Sequence, residues 1–153
     1  MISEKAKKII NHLINQPVNS ICREADMGDF SFGNYALLLQ CPFRMISNTG
    51  KIIVTSYDIY LDKNGNRLAS THWDRKGKNR YDIEIQKWLT NYPDIFVKNV
   101  NLNMQGDLKI IFSNDDSLEI FVNCSTNEEC WRFFEMHTDK KHLVISGIGD
   151  SYD

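Results

Sequence analysis

Long hydrophobic runs are missing from this chain of 153 residues. The longest, such as Ala36 to Leu39 and Ile52 to Val54, fall far short of the roughly 20 apolar residues that a membrane-spanning helix requires. Met1 to Lys8 holds no apolar signal-peptide core, and Glu4 interrupts any basic start, so the expected compartment is the cytoplasm. Proline is scarce, with 3 residues, and the 8 glycines are scattered, which leaves no low-complexity linker. Neither sign of charge dominates: 18 Lys and Arg face 20 Asp and Glu, for a net charge of −2. That balance excludes a broadly basic nucleic-acid coat and a wholly acidic mimic of DNA.

Several chemical signatures are also absent. No Gly-x-Ser-x-Gly elbow, phosphate-cradling glycine loop or His-Glu-x-x-His helix occurs. The four cysteines, at 22, 41, 124 and 130, include no Cys-x2–4-Cys pair of the kind structural zinc sites use. His137 and His142 are spaced for neither a helix face nor a zinc knuckle. In a cytoplasmic chain long enough to bury a core, the expectation is reduced, mostly buried thiols, with no metal and no cofactor. Asp62-Lys63-Asn64-Gly65 imitates part of a calcium loop. Aligning Gly65 with the sixth loop position puts Tyr60 first and Thr71 twelfth, so the bidentate carboxylate is missing and a hairpin turn is expected.

What is present is ordinary globular composition, 42% hydrophobic and 25% charged, in one domain spanning residues 1–153. Ala6, Ile9, Ile10, Leu13 and Ile14 form one helical stripe, with Ser3 placed to cap it and Pro17 to stop it at Gln16. Tyr81, Ile85, Trp88, Leu89 and Tyr92 repeat that spacing in a central helix closed by Pro93. Elsewhere the pattern reads as strands. They fall around Phe30–Phe32, Tyr35–Leu39, Gly50–Ser56, Val100–Met104, Leu108–Phe112, Leu118–Val122, Trp131–Glu135 and His142–Ser146. Turns fit Asp62–Asn66, Gln105-Gly106 and Ser113–Asp116. The fold class expected is α+β: a predominantly antiparallel sheet, curved or doubled into a sandwich, with two helices packed on it.

Three groups of residues could carry function. Asp115 and Asp116 at a hairpin tip, with Glu128 and Glu129 in a later loop, would make an acidic surface able to steer a basic partner. Trp73, Arg75, Lys76, Lys78, Arg80 and Tyr81 combine cations with bracketing aromatics, the composition of a nucleic-acid site. Cys41, Arg44 and His142 are the residues around which a ligand site or nucleophilic enzyme could be built. Cys41 also continues the face of Leu37 and Leu39 and reads equally as a buried hydrophobe. Arg44 has Asp58 or Glu135 as expected partners.

Four blocks occur together: Leu39-Gln40-Cys41-Pro42-Phe43-Arg44, Ser56-Tyr57-Asp58-Ile59-Tyr60, Trp131-Arg132-Phe133-Phe134-Glu135 and His142-Leu143-Val144-Ile145-Ser146-Gly147. In this order they resemble a group of small, uncharacterised bacterial proteins, over roughly residues 18 to 149. Phe43 stands where that group is associated with Trp. Proteins of this kind are often encoded beside secreted toxins as immunity proteins. The resemblance therefore implies a non-catalytic interaction protein that binds and neutralises a cognate toxin, a nuclease being one class, with the acidic residues as the contact surface. The nucleic-acid module and the Cys41 site are the alternatives.

Overall fold

The computed structural model describes all 153 residues. Ser3 accepts a hydrogen bond from the Ala6 amide and opens α1, Glu4–Ile10, which tightens into a single 3₁₀ turn over Asn11–Leu13. Ala6, Ile10 and Leu13 are buried, as the stripe predicts. The helix ends before Gln16 because the backbone there is needed elsewhere. Asn15 turns into the left-handed region, and its amide bonds to the Val97 carbonyl at 2.8 Å. The second helix, α2, runs Arg80–Asn91 with Asn79 as its cap, and it buries Tyr81, Ile85 and Trp88. Tyr92, expected on that stripe, sits past the end of α2 and stays exposed.

Eleven strands follow the expected antiparallel pattern: β1 (Val18–Glu24), β2 (Met27–Phe32), β3 (Tyr35–Leu39), β4 (Phe43–Ile46), β5 (Ile52–Thr55), β6 (Val97–Leu102), β7 (Leu108–Phe112), β8 (Ser117–Ile120), β9 (Glu129–Glu135), β10 (Leu143–Ser146) and β11 (Gly149–Tyr152). They divide into two sheets, ordered β1-β2-β3-β9-β10-β11 and β5-β4-β8-β7-β6. The chain leaves the first sheet through residues 40–42 and returns through residues 121–128. These crossings run side by side, with the Phe121 amide on the Pro42 carbonyl and the Gln40 amide on the Cys130 carbonyl. The strand β11 was not among the expected elements; its Gly-Asp-Ser-Tyr sequence lacks the apolar alternation that marks a strand.

Inward side chains of both sheets and both helices form one continuous core. Alternation along the strands sets it: Phe30 and Phe32, Leu37 and Leu39, Trp131 and Phe133 point in from the first sheet. Phe43, Met45, Ile110, Phe112, Leu118 and Ile120 meet them from the second. The Phe30 and Phe43 rings contact edge to face at 5.7 Å across the two sheets. No helix is long and apolar enough to cross a membrane.

The turn at Gly106 locks the sheets together. Its backbone has φ +97°, its carbonyl accepts the Trp131 indole N–H at 2.9 Å, and a Cβ there would lie 2.7 Å from Ile145. Both the left-handed backbone and the crowding forbid a side chain. Gly106→Ala is expected to cost about 1–3 kcal/mol. The check is a lower urea midpoint with an unchanged slope.

Between the first 3₁₀-like turn after β5 and the start of α2 lies an irregular segment, residues 61–79, long enough to require its own anchors. Arg23 supplies the main one. It stands on the inward face of β1 beside Ile21 and is 2% exposed. Its Nε and Nη2 donate to the two Asp82 carboxylate oxygens at 2.8 and 2.9 Å, its Nη1 to Asp74 Oδ1 and the Ala25 carbonyl, and its Nη2 also to the Asp74 carbonyl. Every guanidinium N–H is thereby used. Asn79 adds a second anchor, capping α2 while donating to the Trp73 carbonyl at 3.1 Å.

Candidate functional site

The anchored segment packs beside a cleft of about 530 Å³ at the place where the chain crosses between sheets. Gln40, Cys41 and Asn123 come from the two crossings, Asp26 from the β1–β2 turn, and Tyr57 and Tyr60 from the stretch after β5. That stretch, Ser56–Tyr60, is a 3₁₀ turn with reciprocal capping: the Asp58 carboxylate accepts the Thr55 amide at 2.8 Å, while the Thr55 side chain accepts the Asp58 amide. Three residues per turn put Ile59 into the core and leave Tyr57 and Tyr60 at the cleft.

The aromatic groups form a row. Ring centroids of Tyr57 and Tyr60 lie 6.1 Å apart, and those of Tyr60 and Trp73 lie 5.1 Å apart. The Arg67 guanidinium sits 5.8 and 5.7 Å from the two tyrosine rings and donates to the Tyr57 hydroxyl at 2.8 Å. The Tyr60 hydroxyl donates to Asp26 at 2.8 Å. Partial burial and that carboxylate both push the Tyr60 phenol above its ordinary range, so it stays a neutral donor. Tyr57 is 55% exposed, a large aromatic surface held in place by an arginine and open to solvent.

The acidic residues expected to act together lie apart. Asp115 and Asp116 precede β8, whereas Glu128 ends the returning crossing and Glu129 opens β9. Asp116 is corrected outright: it is buried, accepting the Trp88 indole N–H at 2.8 Å, the Asn48 amide at 2.9 Å and the Asn114 side-chain amide at 2.8 Å. Asp115 is exposed and paired with Lys98 at 2.8 Å. Glu129 is gripped by the Arg132 fork at 2.7 and 2.6 Å, which holds its carboxyl below the usual range, and accepts from Gln40 as well. Glu128 alone of the four is exposed without an ion pair.

The basic aromatic stretch is also rearranged. Arg75, Lys76 and Lys78 face solvent. Tyr81 is 1% exposed, edge-on to Phe43, and cannot stack a base. Trp73 leans on Tyr60 and the core, and Arg80 is drawn to the Lys63 carbonyl and Asp58. Full burial of Tyr81 and partial burial of Trp73 follow from their packing around the start of α2, a tertiary effect that charge spacing does not record.

Cys41, Arg44 and His142 do not share a site. Cys41 is buried, and loss of water pushes its thiol up to about 12, which keeps it protonated and unreactive at neutral pH. Arg44, on the second sheet, pairs with Glu119 at 3.6 Å rather than with Asp58 or Glu135. His142, beside the first sheet, stacks on Phe134 at 4.1 Å with Nδ1 3.1 Å from Arg132. No three His, Cys, Asp or Glu side chains converge so as to hold a metal ion.

The residues that sequence reasoning missed are Tyr57, Tyr60, Arg67 and Asp26. The one available signal was Ser56–Tyr60, readable as a block but not as a 3₁₀ turn that splits its tyrosines from Ile59. No family model, curated protein or solved structure matches the chain.

Proposed function

We propose that this chain is a non-catalytic recognition protein that docks a partner protein on the face formed by Tyr57, Tyr60 and Arg67 beside the cleft. The carrying observation is the exposed tyrosine pair clamped by one arginine. Tyr and Arg are the side chains on which binding energy concentrates, and ones already held in place lose little freedom when a partner arrives. The capping of Ser56–Tyr60 and the Arg23 anchor support the reading, because they fix the face before contact.

The finer reading, that the partner is a toxin which the chain neutralises as an immunity protein, rests on the resemblance of the four blocks. In that reading the chain blocks the toxin by covering its site, and no bond is made or broken. The aromatic face replaces the acidic loops as the contact surface.

The test is capture from cells with tagged protein, comparing wild type with Tyr57→Ala/Arg67→Ala and with Asp115→Asn/Glu128→Gln. One protein, toxic when expressed alone and tolerated when this chain is co-expressed, is expected on the wild type and the acidic variant. Tyr57→Ala/Arg67→Ala is expected to lose it and to lose protection. Equal capture by all three overturns the assignment of the face, and recovery of nucleic acid alone returns the assignment to Arg75, Lys76 and Lys78.

A further inference from the structure

The thiols of Cys124 and Cys130 meet. Their sulfurs are 3.3 Å apart, although five residues separate them in sequence and no zinc-type spacing drew them together. Cys130 is fixed as the second residue of β9 and is 3% exposed. Cys124 lies in the returning crossing and is half-buried. The main chain of Cys124 is held from behind: a Cβ on Gly147 would fall 2.2 Å from the Cys124 carbonyl oxygen, so the β10–β11 turn packs directly on it. A disulfide needs about 2.05 Å between sulfurs, so closing this one takes side-chain rotation and an approach of ~1.3 Å.

We propose that Cys124 and Cys130 form an oxidisable dithiol, a modification site for hydroperoxides in which Cys124 attacks first and Cys130 closes the disulfide. The order follows from access: solvent reaches Cys124, while Cys130 lies behind it in the core. The shared proton favours the same order. The Cys130 S–H and backbone contacts at Thr126 lower the Cys124 thiol below its ordinary value, and burial raises Cys130. In the first step the Cys124 thiolate sulfur takes the distal peroxide oxygen. The O–O bond breaks, and the remaining alkoxide or hydroxide leaves and picks up a proton. In the second, the Cys130 sulfur displaces the sulfenic hydroxyl from Cys124, which departs as water with the Cys130 proton. Two thiols and one hydroperoxide thus give one disulfide, one alcohol or water, and one further water. The two electrons pass from the sulfur pair to the peroxide.

Cys22 and Cys41 serve as internal controls. Cys22 is the most exposed thiol, opposite Asp29 on β2, and Cys41 is buried. Trypsin separates all three cases: Ile9–Arg23 carries Cys22, Glu24–Arg44 carries Cys41, and Ile110–Arg132 carries both Cys124 and Cys130. The reduced full chain is treated with hydrogen peroxide, quenched, unfolded in denaturant so that every remaining thiol is accessible, alkylated and digested. The 110–132 peptide is expected to become lighter by two hydrogens and to take no alkyl group at doses that leave the other two peptides fully alkylated. In Cys130→Ser, Cys124 is expected to stop at the sulfenic acid and form an adduct with a 1,3-diketone. Oxidation of Cys22 ahead of the pair, or full alkylation of Cys124 and Cys130 alongside the others, overturns the proposal. The wild-type peptide ratio decides the matter even if the variant does not fold, and it is independent of the docking face.

Discussion

Arg23→Ala is expected to cost about 3–5 kcal/mol of folding stability, because removing one partner of a buried pair strands the other. Asp82 would keep the Gly77 amide but lose both guanidinium bonds, and residues 61–79 would lose their link to β1. For a chain of this size each kcal/mol moves the melting midpoint by about 2–4 °C, so a fall on the order of 10 °C is expected. Arg23→Lys keeps the charge but not the planar fork. A single ammonium cannot reach both Asp82 oxygens, the Ala25 carbonyl and Asp74 together, so most of the loss should persist. Urea unfolding of both variants checks this. A loss below about 1 kcal/mol for Arg23→Ala would mean the anchor is not made in solution.

Two adjacent aspartates should behave oppositely. Asp116→Ala is expected to cost about 2–4 kcal/mol, since it leaves the buried Trp88 indole N–H and the Asn48 amide without an acceptor. Asp115→Asn removes only an exposed pair with Lys98 and should change stability by less than about 0.5 kcal/mol. The comparison needs only denaturation curves. Equal, small effects would put Asp116 back in solvent and restore the acidic-surface reading of this hairpin.

Much of the fold was legible in the sequence. Ser3 and Pro17 bracket a stripe at helical spacing, and Phe30 and Phe32 alternate with polar neighbours, so local chemistry and tertiary demand agree there. The turn residues at Gly65, Gly106 and Asp115 also read correctly, because Gly and Asp tolerate the positive φ those turns need. Two sheets were among the expected arrangements, but which strand belongs to which was not legible, since pairing of β3 with β9 joins residues about a hundred positions apart. Site residues were harder for the same reason. Asp116 looks like a turn solubiliser until Trp88 of α2 is placed over it. Arg23 did carry a signal: a cation on the inward face of a strand, two residues after Ile21, must have partners if the strand is to be buried. Its partners, Asp74 and Asp82, lie more than fifty residues away. The meeting of Cys124 and Cys130 has no spacing signal, because spacing rules describe one loop, whereas a crossing and the start of β9 bring these thiols together.

Anchor, capped turn and aromatic row form one causal chain. Arg23 and Asn79 hold residues 61–79, that segment presents Arg67 and Trp73, and the Thr55–Asp58 caps present Tyr57 and Tyr60 to meet them. The side chains of the face are therefore held by contacts within the chain, and groups already held lose little freedom if a partner docks on them.

The most direct test is titration calorimetry of the captured partner against wild type, Tyr57→Ala and Glu128→Gln. Tyr57→Ala is expected to weaken binding by about 2 kcal/mol, roughly 30-fold, with its own unfolding curve unchanged, while Glu128→Gln stays within about twofold of wild type. Equal affinities for wild type and Tyr57→Ala, or a loss confined to Glu128→Gln, would contradict recognition through the tyrosine face.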